Sequence, residues 1–248
     1  MGKKNDKTQT KKQKRQIKEA QAKKSQRLMG WTFLVVLIVF IGFIVAGALS
    51  GPKEARVVNA TEFQYAEQPS LGSDDAPIKL VEFADFKCPA CKYFGENIMP
   101  QLQKDFIDTG KVQLFFTNYL VISPDADSKT AAMAGEAIYQ QKPEEFWKFY
   151  EAVFAAQGDE KTNWATSDRL VQIAKDANVA VDLDKLKKAI DEQTFASKVD
   201  TDETIAGKSG VRSTPTLFMN GKEVSNDATF DYNLLKEEIL KELEEAGK

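Results

Sequence analysis

The chain carries its only two cysteines at the end of one apolar run, in the sequence Ile78-Lys79-Leu80-Val81-Glu82-Phe83-Ala84-Asp85-Phe86-Lys87-Cys88-Pro89-Ala90-Cys91. Residues 78–84 are rich in strand formers and predict a buried strand. Residues 91–106 predict a helix, so the cysteine pair lies where a strand passes into a helix. Two lone thiols at this spacing indicate redox chemistry rather than a structural disulfide framework.

The start of the predicted helix assigns different roles to the two cysteines. Cys88 lies at the helix amino terminus, where unpaired backbone N–H groups and the helix dipole favour a thiolate. We therefore predict that Cys88 is the attacking nucleophile and that its pKa is lowered. Pro89 suits the first helical turn, because its missing N–H costs nothing there. Cys91 lies one turn further on and can reach back to close a disulfide with Cys88.

Residues 82–91 resemble the active-site segment of the DsbA-like thiol-disulfide oxidoreductases, which have the thioredoxin fold. A second segment resembles the cis-proline loop, strand and hairpin turn of that family: Gly210-Val211-Arg212-Ser213-Thr214-Pro215-Thr216-Leu217-Phe218-Met219-Asn220-Gly221. The resemblance implies that Pro215 packs against the disulfide and that the Thr214 backbone offers a strand-like edge to a bound substrate. Pro89 and Ala90 are its further substrate-binding residues. It covers roughly residues 70–245 and is similar to the membrane-anchored Gram-positive variant, the BdbD type.

The separation of the two motifs indicates an insertion. Cys91 and Pro215 are 124 positions apart, more than a minimal thioredoxin fold needs. After a predicted strand at 111–117, helix starts are predicted near Ser123, Ser167 and Asp182. A further helix, entered through Pro143, has an apolar face made of Phe146, Phe149, Tyr150, Val153 and Phe154.

We therefore predict an α/β chain with a thioredoxin fold and an inserted helical domain, preceded by one transmembrane helix. The thioredoxin-like domain comprises residues 76–122 and 200–248, closed by a strand around 222–224 and a helix over 231–243. The insertion comprises residues 123–199. Residues 50–75 contain turn residues and predict a linker and the start of the domain, with folded sequence from about Ala76.

The amino-terminal region predicts a membrane anchor. Residues 1–30 contain eleven Lys or Arg and two acidic residues, whereas residues 28–49 contain no charge. A bilayer core needs about 20 apolar residues in a helix. Because positive charge flanks one side only, residues 1–27 are a cytoplasmic tail, residues 28–49 a single-pass anchor, and the rest extracytoplasmic. Ala46-Gly47-Ala48 also permits a cleaved signal peptide, although the apolar run is long for one. Both interpretations export the same domain.

The charge balance excludes one class of partner. Residues 31–248 hold 23 basic and 35 acidic side chains, a net charge of −12. No basic patch of the size needed for phosphate contacts is apparent in residues 31–248, so we expect no nucleic-acid partner. We expect a monomer.

Glu82 is a carboxylate inside a predicted buried strand, which is expensive unless it has a task or a partner. The resemblance matches it to the buried acid of the family, which could relay a proton to or from Cys91. The alternative is a strand-end acid that reaches solvent or pairs with a lysine such as Lys79.

Ala90 marks a departure from the best-known member of the family, which has histidine there. The chain contains no histidine, so no imidazolium favours the Cys88 thiolate and the oxidising strength of that member does not carry over. Lys87 and Lys92 could supply positive charge, but solvated lysines are the more ordinary interpretation.

No metal or organic cofactor is expected. Two cysteines supply only half of a tetrahedral zinc shell, and haem attachment fails because Lys92 occupies the required histidine position. Capping and solvated helix faces explain three acidic groups better than calcium does: Asp125/Asp127, Asp182/Asp184 and Asp200/Asp202/Glu203.

The predicted activity is dithiol-disulfide exchange through Cys88 and Cys91, introducing disulfides into reduced exported polypeptides. The resemblance implies a quinone-linked membrane thiol oxidoreductase as the partner that reoxidises the cysteine pair. A membrane-anchored reductase would use the same site. A thioredoxin-fold binding or chaperone module with a redox switch is the third possibility.

Overall fold

The computed structural model describes residues 31–32, 34–42 and 55–247. The chain divides into two compact units, residues 1–54 and 55–248. In the first unit, residues 31–32 and 34–42 are helical, with exposed side chains. No helix among the described residues is long and apolar enough to cross a bilayer. The predicted tail and the remainder of the predicted anchor lie outside these ranges.

A five-stranded sheet organises the second unit, in the order β1-β3-β2-β4-β5. Its strands are β1 (Ser70–Leu71), β2 (Ile78–Ala84), β3 (Val112–Asn118), β4 (Thr216–Met219) and β5 (Lys222–Glu223). β2 and β3 are parallel, and every other pairing is antiparallel. β2 and β3 are almost wholly buried, as expected for central strands covered on both faces. The strands predicted at 78–84 and 111–117 are confirmed, the second shifted by one residue.

A helical run follows β2 directly. It starts as α1 (Pro89–Tyr93) and continues through a π-helical turn (Phe94–Ile98), α2 (Met99–Leu102) and a second π-helical turn (Gln103–Ile107). Its buried apolar side chains, including Phe94 and Leu102, pack into the larger core cluster against one face of the sheet. The predicted strand-to-helix passage at the cysteine pair is therefore confirmed.

Four helices lie between β3 and residue 195. They are α3 (Asp127–Gln141), α4 (Phe146–Ala155), α5 (Ser167–Asp176) and α6 (Leu183–Asp191). The apolar face predicted for α4 is buried, and α4 is entered through a 3-10 turn (Pro143–Glu145). Asp182 caps α6 by accepting from the backbone N–H groups of Asp184 and Lys185.

The helix predicted to start near Ser123 instead begins at Asp127. Ser123 Oγ accepts from the Ser128 backbone N–H at 3.1 Å, and Ser128 Oγ accepts from the Ser123 backbone N–H at 3.1 Å. These reciprocal bonds close a turn over the intervening residues, which delays the helix.

The other face of the sheet carries a smaller core. α7 (Ala196–Lys208) packs there with a cluster of buried side chains that includes Phe83, Phe115 and Phe218. α8 (Asn226–Phe230) and α9 (Tyr232–Ala246) follow β5, and Asp231 caps α9 through its side chain.

The prediction that folded sequence begins near Ala76 is wrong. Residue 57 forms an isolated antiparallel bridge with Lys222, and Phe63 is fully buried in the smaller core. Its ring lies 5.3 Å from Phe218 and 5.9 Å from Phe83, centroid to centroid. The turn residues of this segment lie between 3-10 turns and the edge strand β1. The segment belongs to the folded domain because its aromatic side chains complete one face of the sheet.

Candidate active site

The two cysteines lie at the start of α1, each with its own degree of burial. Cys88 is the residue before the helix, with extended backbone, and Pro89 is the first helical residue, as predicted. Cys88 is 6% exposed and Cys91 is fully buried. Both are free thiols. A substrate can therefore reach Cys88 more readily than Cys91.

The two thiols differ strongly in acidity. Hydrogen bonding from the Cys91 thiol, helped by Thr214 and the backbone N–H groups of Ala90 and Cys91, lowers the pKa of Cys88 to about 6 against the effect of burial. Burial, the contact with Cys88 and the charge of Glu82 raise the pKa of Cys91 well above its usual range. Cys88 is thus the thiolate at neutral pH and Cys91 the protonated thiol.

The proline loop predicted from the sequence lies against Cys88. The Thr214–Pro215 peptide bond is cis, and Cys88 Sγ lies 3.5 Å from the Thr214 carbonyl oxygen, to which the protonated thiol donates. The buried Thr214 hydroxyl has no other hydrogen-bond partner among the described residues, and its donation to the thiolate form of Cys88 is one of the causes of the lowered pKa. Pro215 is buried, Ala90 half-buried and Pro89 exposed.

Glu82 lies at the centre of the sheet, paired in register with Phe116 on β3 and Leu217 on β4. It is fully buried, and its Oε2 accepts a hydrogen bond from the Tyr150 hydroxyl at 3.0 Å. Burial raises the pKa of Glu82 to about 8, against the effect of the Tyr150 hydrogen bond.

The interpretation of Glu82 as a solvent-reaching or lysine-paired acid is therefore wrong. Lys79 instead donates to Gln113 Oε1 and the Asp74 carbonyl oxygen.

Asp85 fixes the segment between β2 and the cysteines. Its Oδ1 accepts from the Lys87 backbone N–H at 2.9 Å. Its Oδ2 accepts from the backbone N–H groups of residues 121 and 122 and from the Ser128 hydroxyl. One buried carboxylate thus ties the active-site loop to the chain leading into α3, a contact with no signature in the sequence.

Lys87 is a buried cation, so its interpretation as a solvated charge is wrong. Its Nζ lies 2.5 Å from Asp127 Oδ1 and donates to the Thr162 carbonyl oxygen at 2.9 Å.

Gln157, just after the end of α4, forms a second link to the active-site loop. Its side-chain amide donates to the carbonyl oxygens of Phe86 and Cys88 at 2.8 and 3.1 Å. Lys92 is half-buried and pairs with Glu96 one turn along the helix.

Two of the acidic residues assigned to capping or solvated faces are buried instead. Asp127 pairs with Lys87, and Asp202 accepts from Gln68 and from the backbone and side chain of Asn118. Within the described part of the chain, no group of three or more His, Cys, Asp or Glu side chains is arranged to hold a metal ion.

Comparison with known proteins identifies the family. The thioredoxin family model described as "Thioredoxin" matches residues 65–236. The probable disulfide bond formation protein D of Bacillus anthracis is 38% identical over 89% of this chain and 99% of its own. The disulfide bond formation protein D of Bacillus subtilis is 42% identical over 71% of this chain and 77% of its own.

The structural comparison agrees. The crystal structure of oxidised BdbD from Bacillus subtilis superposes with a TM-score of 0.71 at 38% identity, covering 77% of this chain and all of that one. The α/β fold with a helical insertion, predicted from the sequence, is thereby confirmed. The chain belongs to the thioredoxin family and is a DsbA-like protein disulfide oxidoreductase of the BdbD type.

Proposed function

We propose that this oxidoreductase works outside the cytoplasm and introduces disulfide bonds into exported proteins. The observation that carries the oxidising direction is the asymmetry of the cysteine pair: Cys88 lies directly before α1 and beside the Thr214 carbonyl group, whereas Cys91 is fully buried. This asymmetry agrees with the lowered pKa of Cys88, about 6, and the raised pKa of Cys91. A stabilised Cys88 thiolate favours the reduced form of the pair and makes its disulfide the better oxidant. Disulfides also persist outside the cytoplasm.

In the proposed reaction a substrate thiolate attacks Cys88 Sγ of the Cys88–Cys91 disulfide. The S–S electron pair leaves on Cys91, which takes up a proton, and substrate and Cys88 form a mixed disulfide. A second substrate thiolate then attacks the substrate sulfur and releases Cys88 as a thiolate. The substrate loses two electrons and gains a disulfide, and the enzyme pair becomes a dithiol.

The residues around Cys88 suit a polypeptide substrate. The Thr214 backbone, held against Cys88 by the cis bond to Pro215, offers main-chain hydrogen-bonding groups to an extended chain. Pro89 and Ala90 border Cys88 on the helix side and reach the surface. We assign substrate binding to Thr214, Pro89 and Ala90, and packing against the disulfide to Pro215. Glu82 exchanges a proton with Cys91.

The amino-terminal sequence supports a membrane location. In our proposal residues 1–27 lie in the cytoplasm, residues 28–49 anchor the protein, and the catalytic domain lies on the far side. The anchor keeps the domain beside a quinone-linked membrane thiol oxidoreductase, which reoxidises the dithiol, at a raised effective concentration. Labelling of intact cells with a membrane-impermeant amine reagent tests this topology. Modification of the tail lysines before lysis would contradict it.

The activity is tested by mixing the oxidised protein with a reduced, denatured enzyme that needs disulfides and following its regained activity. We expect acceleration over air oxidation, and none with Cys88→Ser. A Cys91→Ser variant should accumulate mixed disulfides through Cys88, from which substrates can be identified. A Cys88–Cys91 pair found mainly reduced in cells, with a potential near that of thioredoxin, would instead assign the reductase direction.

A further inference from the structure

The two oxygens of the Glu82 carboxyl group have different surroundings. Oε2 accepts from the Tyr150 hydroxyl at 3.0 Å, whereas the buried Oε1 has no hydrogen-bond partner among the described residues. In a protonated carboxyl group one oxygen accepts hydrogen bonds and the other carries the proton. Because Tyr150 occupies Oε2, the proton of Glu82 belongs on Oε1.

Among the residues that the structure describes, the groups that face Glu82 leave it one neighbour with which to exchange that proton. The adjoining strands present Phe116 and Leu217, which do not titrate. α4 presents Tyr150, and burial and the Glu82 charge raise the pKa of this tyrosine well above its usual range.

The segment at the start of α1 presents the two cysteines. Cys88 is already a thiolate, whereas the charge of Glu82 raises the pKa of Cys91. Glu151, the other charge near Tyr150, is exposed.

Packing holds the Tyr150 hydroxyl in place. Its ring lies 4.7 Å from Phe154 and 5.2 Å from Trp147, centroid to centroid, and it is fully buried. Gly95 lets the helical run that follows the cysteines approach closely, since a Cβ there would lie 3.3 Å from the Tyr150 hydroxyl oxygen. Such a hydroxyl has little freedom to leave Glu82.

We propose that Tyr150, on a helix of the insertion, is a positioning residue that holds Glu82 Oε2 so that Oε1 exchanges the proton of Cys91. This inference rests on the proposed role of Glu82 in disulfide exchange. When Cys91 attacks a mixed disulfide at Cys88, its proton passes to the Glu82 carboxylate. The Cys91 thiolate then forms the S–S bond, and the partner sulfur leaves from Cys88 with the electron pair.

The step can be followed in the reduced full-length protein with the disulfide reagent dithiobis(nitrobenzoate). Attack by Cys88 releases a first thionitrobenzoate, at a rate that depends on reagent concentration. Attack by Cys91 on the resulting mixed disulfide releases a second, in a first-order phase that isolates the proton transfer from Cys91. In the wild-type protein this second phase should rise with pH around a midpoint at or somewhat below the Glu82 pKa of about 8, because the mixed disulfide removes the Cys88 charge that helps to raise that pKa.

Tyr150→Phe removes only the hydroxyl. Because the hydroxyl favours the carboxylate form of Glu82, we expect the second-phase midpoint to move up by roughly one unit. The second-phase rate at pH 7 should fall up to about tenfold. Tyr139→Phe is the matched control, since Tyr139 donates to the Gln68 carbonyl oxygen at 3.1 Å, away from the cysteines. Second phases of Tyr150→Phe and wild type that superimpose at every pH would overturn the inference.

A wild-type measurement guards against misfolding of the variant. The chain has six tyrosines, and with carbon-13 at Cζ one signal should titrate with Glu82 and lose that titration in Glu82→Gln. Absence of any such signal would also overturn the inference.

Failure of the proposed function is distinguishable from failure of this inference. A wild-type protein that does not oxidise reduced proteins refutes the proposed function. A wild-type protein that oxidises them, with an unchanged Tyr150→Phe profile, refutes only the role of Tyr150.

Discussion

The ammonium nitrogen of Lys87 lies 2.5 Å from Oδ1 of Asp127, and both side chains are almost completely buried. Lys87 directly precedes the nucleophilic Cys88, and Asp127 is the first residue of α3. Asp127 also accepts from the Ser123 hydroxyl and the Ala165 backbone N–H. The buried ion pair therefore links the active-site loop to the helical insertion through a contact that excludes water.

Lys87→Met should destabilise the protein strongly. Removal of one partner leaves the Asp127 charge buried and uncompensated, which typically costs about 3–5 kcal/mol. The free energy of unfolding from denaturant titration at pH 7 measures the loss. Lys129→Met is the matched control, because Lys129 pairs with the exposed Asp200, and such surface pairs contribute about 1 kcal/mol or less. Equal losses in the two variants would show that the Lys87–Asp127 pair is effectively solvated.

Cys91→Ala should raise the pKa of Cys88 from about 6 towards the ordinary thiol range, because the Cys91 thiol is the largest cause of the lowered value. Cys91→Ser retains a hydroxyl donor at the same place and should raise the pKa less. The rate of Cys88 alkylation as a function of pH gives the midpoint of each variant. A midpoint that is the same in both variants and the wild type would assign the acidity to the helix terminus and Thr214 instead.

Apart from the loop of Thr214 and Pro215, which the family resemblance places at Cys88, the sequence predicts the site where neighbouring residues in the chain carry the chemistry. It fails where the chemistry depends on contacts between distant residues. β2, the cysteine pair and α1 are contiguous, so apolar content and the position of Pro89 suffice to place them. Tyr150 is different: its spacing on α4 predicts burial, but not that its hydroxyl meets a carboxylate 68 positions earlier. Likewise Lys87 looks solvated in sequence because its partner, Asp127, is 40 residues away.

The prediction for the segment before residue 76 is wrong for a related reason. Its turn residues predict a linker, but the segment also contains Phe63, which completes the smaller core. Phe63→Ala should therefore cost about 3–5 kcal/mol in free energy of unfolding, the usual loss for a buried phenylalanine. Val57→Ala in the same segment should change little, because Val57 is 78% exposed. Similar small losses in both variants would return this segment to the role of a linker.

Glu82→Gln should slow disulfide exchange without unfolding the protein, because an amide cannot take up or release the Cys91 proton. The effect belongs to the second release of thionitrobenzoate, while the first, made by Cys88, should change little. Stopped-flow traces between pH 5 and 8 separate the two. A second-phase rate equal to that of wild type throughout this range would remove Glu82 from the mechanism.

Glu82→Gln should also change how stability depends on pH. The folded pKa of Glu82, about 8, lies above its ordinary value of 4.5, so between these values the native state keeps a proton that the unfolded chain has lost. The unfolded state then binds fewer protons, and stability falls as pH rises through this window. Within it the Glu82 contribution falls by about 1.4 kcal/mol per pH unit.

Because glutamine does not titrate, Glu82→Gln should gain stability relative to wild type as pH rises from 5 to 8. Denaturant titrations at pH 5, 6, 7 and 8 on both proteins give this difference directly. Taking the difference also removes the opposite contribution of Cys88, whose lowered pKa favours the folded state as pH rises above about 6. Glu151→Gln, an exposed change on α4, serves as the control. Parallel stability curves for wild type and Glu82→Gln would mean that Glu82 is already ionised at neutral pH, which would leave no proton on Oε1 for a departing Cys91 thiolate.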